Sequence, residues 1–81
     1  MRIQLTERFL RSFRDVPTSV RKAFGKQSLL LVQNLNHPSL RAKKFDEGKD
    51  VWQARVNRSW RFYFSIVGDT YIIRDITEHP K

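Results

Sequence analysis

The spacing of apolar residues changes once along this chain, and that change limits what the chain can fold into. Between Phe9 and Leu35 they recur at helical intervals. Phe9, Leu10 and Phe13 form one stripe, and Val20, Phe24, Leu31 and Leu35 form a second with Leu30 beside it. From Val51 onward they alternate. Trp52, Ala54 and Val56 share one side of a strand and Gln53 and Arg55 the other; Trp60, Phe62, Phe64 and Ile66 then oppose Arg61, Tyr63 and Ser65. A helical half followed by a strand half is an α+β arrangement, with the helices on one sheet face and the other face partly open.

Local signals place the boundaries. Met1 to Leu5 alternates as a short strand, Thr6 suits a helix N-cap, and Glu7 follows where negative charge favours the helix dipole. Asp15-Val16-Pro17 breaks the first helix, because the residue before a proline is pushed out of the helical region. A second helix opens at Pro17 to Ser19, with Thr18 or Ser19 as cap, and Asn36-His37-Pro38 stops it. Ser39 to Asp50 reads as a basic connector. Asn57-Arg58-Ser59 and Gly68-Asp69 read as turns, and Tyr71 to Thr77 as the last strand, with isoleucine on both of its faces. The predicted order is β-α-α-β-β-β, one domain over residues 1–81, with two N-terminal helices packed on a small, mainly antiparallel sheet.

Charge says what such a domain meets. Sixteen Lys and Arg against eight Asp and Glu give +8, a field that attracts polyanions, nucleic acid first among them. The charge is uneven: residues 1–26 carry net +5, 27–40 none, 41–61 net +4 and 62–81 net −1. An anion site should therefore draw on the middle of the chain, on the N-terminal helices, or on both. There is no cysteine, which excludes a disulfide framework, and two histidines without close spacing do not make a metal site, so no metal or other cofactor is expected. The longest apolar run, Leu29 to Val32, is far too short to cross a bilayer, and the N-terminus has no signal-peptide core; a soluble, cytoplasmic protein is expected.

Several segments, taken in order, resemble the RelE/ParE superfamily of toxins from bacterial toxin–antitoxin systems. They are Lys43-Lys44-Phe45 with Gly48, the strand from Trp52 to Val56, Trp60-Arg61-Phe62-Tyr63-Phe64, and Gly68-Asp69 before a final apolar strand. The N-terminal strand and helix pair fit the same layout. The resemblance implies a RelE-like fold and ribosome-dependent cleavage of messenger RNA, neutralised by a small antitoxin protein. It also implies residue roles. Arg61 matches the arginine that contacts the scissile phosphate, Arg55 a basic position on the preceding strand, and His79 the near-terminal histidine of the YoeB-like branch. Lys81 falls near a C-terminal arginine of RelE. Gln53 stands where RelE-like relatives carry lysine, and Pro80 where the YoeB-like branch has tyrosine. The YoeB-like connector glutamate is replaced by lysine.

The chemistry needs a base for the ribose 2′-hydroxyl, an acid for the leaving 5′-oxygen, and cations for the charge that gathers on phosphorus. Histidine suits proton transfer near neutrality, and a guanidinium suits bidentate phosphate contact. The expected catalytic set is Arg61, His79, Arg55 and Lys81. Lys43, Lys44, Lys49, Gln53 and Arg58 are expected to contact RNA, and Tyr63 to stack on a base or pack beside Arg61. The expected partners are messenger RNA, the ribosome and a cognate antitoxin, with no membrane. Two other readings stay open: a ParE-like inhibitor of DNA gyrase without nuclease activity, and a non-catalytic basic RNA-binding module.

Overall fold

The computed structural model describes residues 1–79. Its elements run β1 (Arg2–Leu5), α1 (Glu7–Arg14), α2 (Thr18–Gln33), β2 (Lys43–Asp46), β3 (Val51–Arg55), β4 (Trp60–Val67) and β5 (Thr70–Glu78). The five strands make one sheet in the order β1-β5-β4-β3-β2. β1 pairs parallel with β5, and the remaining neighbours are antiparallel. β1 and β2 are thus opposite edges, and the helix pair carries the chain between them across one sheet face. The architecture is the expected α+β one with a fifth strand added.

That added strand is a correction. Lys43–Asp46 falls inside the segment read as a connector, yet it pairs antiparallel with β3 through Lys43 to Gln53 and Lys44 to Trp52. Three of its four residues are charged, which hides the strand pattern and is also what a sheet edge needs to resist pairing with other chains. The start of α2 differs too. No side chain caps it; Pro17 takes the N-cap position, and its carbonyl accepts the amides of Val20 and Arg21 at 2.9 and 3.1 Å. The helix ends at Gln33, two residues before the last apolar position of its stripe.

α1 begins as the sequence predicts. Thr6 Oγ1 accepts the Phe9 amide at 3.1 Å, and the same hydroxyl donates to the Ile73 carbonyl at 2.8 Å. It therefore ties the helix start to β5 where that strand is irregular. Between Ile73 and Asp75 the register slips against Tyr63 and Phe64, so Arg74 is an extra residue, a β-bulge. The bulge resolves the two-faced last strand. Tyr71 and Ile73 face the helices before it and Ile76 after it, and all three are buried.

The core lies between the helices and this sheet face. Phe9, Val20, Phe24, Leu31 and Leu40 meet Ala54, Val56, Phe62, Phe64, Ile73 and Ile76. A run of rings joins the layers: Phe9 to Phe24 at 5.0 Å, Phe24 edge-on to Phe62 at 5.2 Å, Phe62 to Phe64 at 5.8 Å and Phe64 edge-on to Tyr71 at 5.5 Å. Phe24→Ala should cost about 3–5 kcal/mol of stability. Leu29→Ala on the same helix, at a side chain 66% exposed, should stay within about 0.5 kcal/mol. Urea unfolding of the two variants measures both; equal losses would contradict the packing of α2 described here.

Candidate functional site

Because the helices cover one face, every second residue of β3, β4 and β5 points away from them. Gln53 and Arg55 do so on β3, Arg61 and Tyr63 on β4, and, beyond the bulge, Asp75 and Thr77 on β5. The register sets these side chains opposite one another. Arg55 faces Arg61 directly, and Arg61 faces Thr77 on its other side; Lys43 on β2 faces Gln53, and Gln53 faces Tyr63. Like charges directly opposite on neighbouring strands oppose folding by about 0.2–1 kcal/mol. A pair of arginines in that position is a cost to the fold and a preparation for an anion.

The two arginines share a pocket of about 350 Å³ with Arg41, Lys43, Gln53 and His79, and no carboxylate lines it among the described residues. Arg61 is anchored through one nitrogen: Nη1 donates to the carbonyls of Asn57 at 2.8 Å and Trp60 at 2.9 Å. Those carbonyls belong to a turn folded by Asn57 itself, whose Oδ1 accepts the Ser59 and Trp60 amides at 2.9 and 3.0 Å. Partial burial, then the facing Arg55, pull the Arg61 guanidinium below its usual value, with Tyr63 opposing and Arg41 adding a little. Arginine starts high enough that it stays charged at neutral pH. The buried Nε of Arg55 has no hydrogen-bond partner among the described residues. A buried donor left unpaired costs about 1–3 kcal/mol. His79 sits exposed just past β5, its amide donating to the Ser59 carbonyl at 2.6 Å, which holds it beside the same turn.

The structure thus brings together Arg61, Arg55, His79, Lys43 and Gln53 from the predicted set. It separates the others. Lys44 pairs with Trp52, which turns it to the helix side, where Nζ lies 5.4 Å from the Trp52 ring centre and forms an ion pair with Asp50. That hydrogen bond to Asp50 holds the ammonium above the ordinary lysine value. Lys49 and Tyr63 line a second, neighbouring pocket on the same open face. Arg58 lies on the β3–β4 turn in a third hollow, with Lys26 and the back of Arg55. Lys81 and Pro80 lie outside the described residues.

Three contributors were not singled out from sequence. Arg41 enters the pocket from the loop before β2 with φ at 47°, a left-handed conformation that non-glycine residues seldom adopt. Asn57 builds the turn that anchors Arg61. Gln27, only 5% exposed, sits on α2 in line with Val20, Phe24 and Leu31. Its Nε2 donates to the carbonyls of Ser39 and Arg55 at 3.1 and 2.8 Å, and its Oε1 accepts the Ser39 hydroxyl at 3.1 Å. It fixes the strand bearing Arg55 to the loop leading to Arg41. A polar residue in step with an apolar helical stripe was the available signal.

No protein-family model matches the chain, and no curated protein is similar to it in sequence. Solved structures are similar to it in fold. The RelE toxin of a RelB–RelE antitoxin–toxin complex from Methanococcus jannaschii is 21% identical, with a TM-score of 0.73 over 91% of this chain and 87% of that one. The isolated E. coli RelE toxin is 13% identical, with a TM-score of 0.77 over 99% and 85%. A YoeB/ParE toxin from Agrobacterium tumefaciens is 9% identical, with a TM-score of 0.80 over 99% and 100%. The chain has the fold of the RelE/ParE toxins.

Arg55→Met keeps the aliphatic stem while removing the like-charge pair and the unpaired buried donor. Thermal or urea unfolding should show a gain of about 1 kcal/mol, and phosphate at fixed ionic strength should stabilise the variant less than the parent. A loss of stability would mean that Arg55 is part of the scaffold rather than held against it.

Proposed function

We propose that the chain is the toxin of a toxin–antitoxin pair, a ribosome-dependent, metal-independent endoribonuclease that cleaves messenger RNA and so inhibits translation. The observation that carries this reading is the pocket, without a carboxylate among the described residues, in which Arg55 and Arg61 face each other beside His79. Two arginines that face each other across neighbouring strands can both reach one phosphodiester. The ribose 2′-oxygen attacks phosphorus and the bond to the 5′-oxygen breaks, leaving a 2′,3′-cyclic phosphate and a 5′-hydroxyl. Arg61 holds the phosphate and takes the charge that develops on its oxygens; Arg55, facing it on the next strand, shares that charge. His79 is the proton-transfer group, and Lys81 assists from the C-terminus. Lys43 and Arg41 position the strand, and Arg58 and Lys49 extend the backbone contacts. The protein partner is a cognate antitoxin, as in the RelB–RelE complex whose toxin shares this fold, and the place of action is the cytoplasm, where ribosomes and messenger are found.

The test is incubation with ribosomes programmed with a defined messenger in the presence and absence of a chelator. Fragments ending in a cyclic or 3′-phosphate are expected, with the chelator of no effect on the chemical step once ribosomes are fixed in place. Arg61→Ala should slow cleavage by about 10²–10³-fold and His79→Ala by about 10²–10⁴-fold. An intact messenger beside blocked gyrase supercoiling would replace this reading with the gyrase-inhibitor one. Intact messenger with RNA still bound would leave a non-catalytic module.

Backbone contacts have their own signature. Binding of single-stranded RNA should weaken with salt, and each phosphate-contacting cation removed should lower the slope of log affinity against log salt by about 0.7. Lys43→Ala and Arg58→Ala should each show that change, and Lys44→Ala, turned to the other face, should not.

A further inference from the structure

β3 loses its strand neighbour before it reaches Arg55. The edge strand β2 pairs with β3 only as far as Gln53. Beyond that point the segment between α2 and β2 and one helix side chain complete the outer side of β3. The Arg55 amide donates to the Leu40 carbonyl at 2.7 Å, and the Arg55 carbonyl accepts from Gln27 Nε2 at 2.8 Å. Both peptide groups of Arg55 thus point away from β4. Arg55 and Arg61 therefore face each other without backbone hydrogen bonds between them, the arrangement that brings opposed side chains closer. Two like charges sit there with no ladder bond of their own to set their spacing.

We propose that Gln27 is a positioning residue for the cationic pocket: from within α2 it sets where Arg55 and Arg41 stand relative to Arg61. The proposal rests on the RNA-cleavage reading of that pocket and adds a residue that acts through the arginines without touching the phosphate. Three observations carry it. The first is reach. The two amide hydrogens of Gln27 go to different segments, one to the Arg55 carbonyl on β3 and one to the Ser39 carbonyl, two residues before Arg41. The second is orientation. The Ser39 hydroxyl donates to Gln27 Oε1 at 3.1 Å, which fixes the way the amide faces, and His37 Nδ1 accepts the Ser39 amide at 3.1 Å. Leu40, next in the chain, is fully buried. Arg41 thus takes its left-handed conformation from a fixed start.

The third is that the fold alone does not ask for glutamine here. Position 27 is buried and continues the apolar stripe of Val20, Phe24 and Leu31, where an apolar side chain would join the core. Gln27, Ser39 and Arg55 also line the hollow that holds Lys26 and Arg58, so water there can take the place of the amide at both carbonyls. A water is not tied to the helix. What the amide adds is a rigid link from α2 to the two segments that bear Arg55 and Arg41. Misplacing such groups by about 1 Å can slow a reaction on the order of 10²-fold.

Gln27→Met removes the amide and keeps the length of the side chain. Two measurements decide the matter, both at a temperature where circular dichroism shows parent and variant folded. Inorganic phosphate is titrated at fixed ionic strength, and the guanidinium signals of Arg55 and Arg61 are followed. The variant should bind it on the order of fivefold more weakly. Ribosome-dependent cleavage is then measured with and without Arg55. In the parent background Gln27→Met should lower the maximal rate by about 10–100-fold, with the half-saturating ribosome concentration unchanged within about twofold. In an Arg55→Met background it should lower the rate by no more than about twofold, because the arginine through which it acts is gone. A residue that only held the fold together would lower both backgrounds equally. Should Gln27→Met not fold, Ser39→Ala at an exposed loop position frees the amide instead, with an expected loss of rate of about threefold; a Ser39→Ala protein that matches the parent in both measurements then overturns the proposal. Parental phosphate binding by Gln27→Met, or equal losses with and without Arg55, overturns it even if cleavage occurs. Weaker phosphate binding by the variant, beside a parent that cuts no messenger, upholds the positioning role and removes the nuclease reading instead.

Discussion

Phe24 meets Phe62 edge to face, and that contact joins the helical layer to the sheet. The ring run from Phe9 to Tyr71 passes through it. Each well-placed aromatic pair adds about 0.5–1.5 kcal/mol beyond its area burial. The facing arginines and the unpaired donor on the other side of the sheet take back a similar amount. The core face thus offsets what the open face costs, and the same β4 residues alternate between the two tasks: Phe62 and Phe64 inward, Arg61 and Tyr63 outward.

The bulge in β5 divides that labour on the neighbouring strand. With Ile73 in the core, an unbroken strand would send Asp75 and Thr77 inward and Ile76 outward. The extra residue, Arg74, inverts this, so Ile76 joins the core while Asp75 and Thr77 reach the open face. Thr6 secures the inversion, because its hydroxyl reaches the Ile73 carbonyl while it accepts the Phe9 amide in the first turn of α1. One residue at the end of β1 therefore sets a helix start, a strand irregularity and the composition of a pocket wall.

The strand half was legible because alternation is a short-range signal: Trp52 to Val56 and Trp60 to Ile66 declare their faces without reference to anything distant. The α1 cap was legible for the same reason. The edge strand β2 was not, because charge on three of four residues erases alternation, and only pairing with β3 makes it a strand. The face of β5 was not, because a bulge changes parity and is defined by the partner strand. The site divides along the same line. Arg55, Arg61 and His79 could be named from local pattern and family resemblance. The Asn57 turn was legible as a turn, though not its hold on Arg61; Gln27 and Arg41 act through backbone carbonyls and a left-handed loop residue, which depend on how separate segments meet. Lys44 illustrates the converse: its charge was visible, but its side of the strand was fixed by pairing with Trp52.

Net charge is a poor guide to where the chemistry sits. Much of the +8 lies on the helices, and some of it is structural there: Arg21 donates to the Arg14 carbonyl at 2.6 Å and lies 4.9 Å from the Phe13 ring centre. Such residues supply a field that hastens encounter with a polyanion. What distinguishes the open face is the sorting of charge on it. Among the described residues, one pocket holds cations with no carboxylate in its lining, and the next combines aromatic rings with three cations and two carboxylates, the hydroxyl of Tyr63 lying where they join. A uniformly basic face would hold any polyanion in any register. A face that gathers cations in one pocket and sets them among carboxylates in the next offers a polyanion one preferred place to lie.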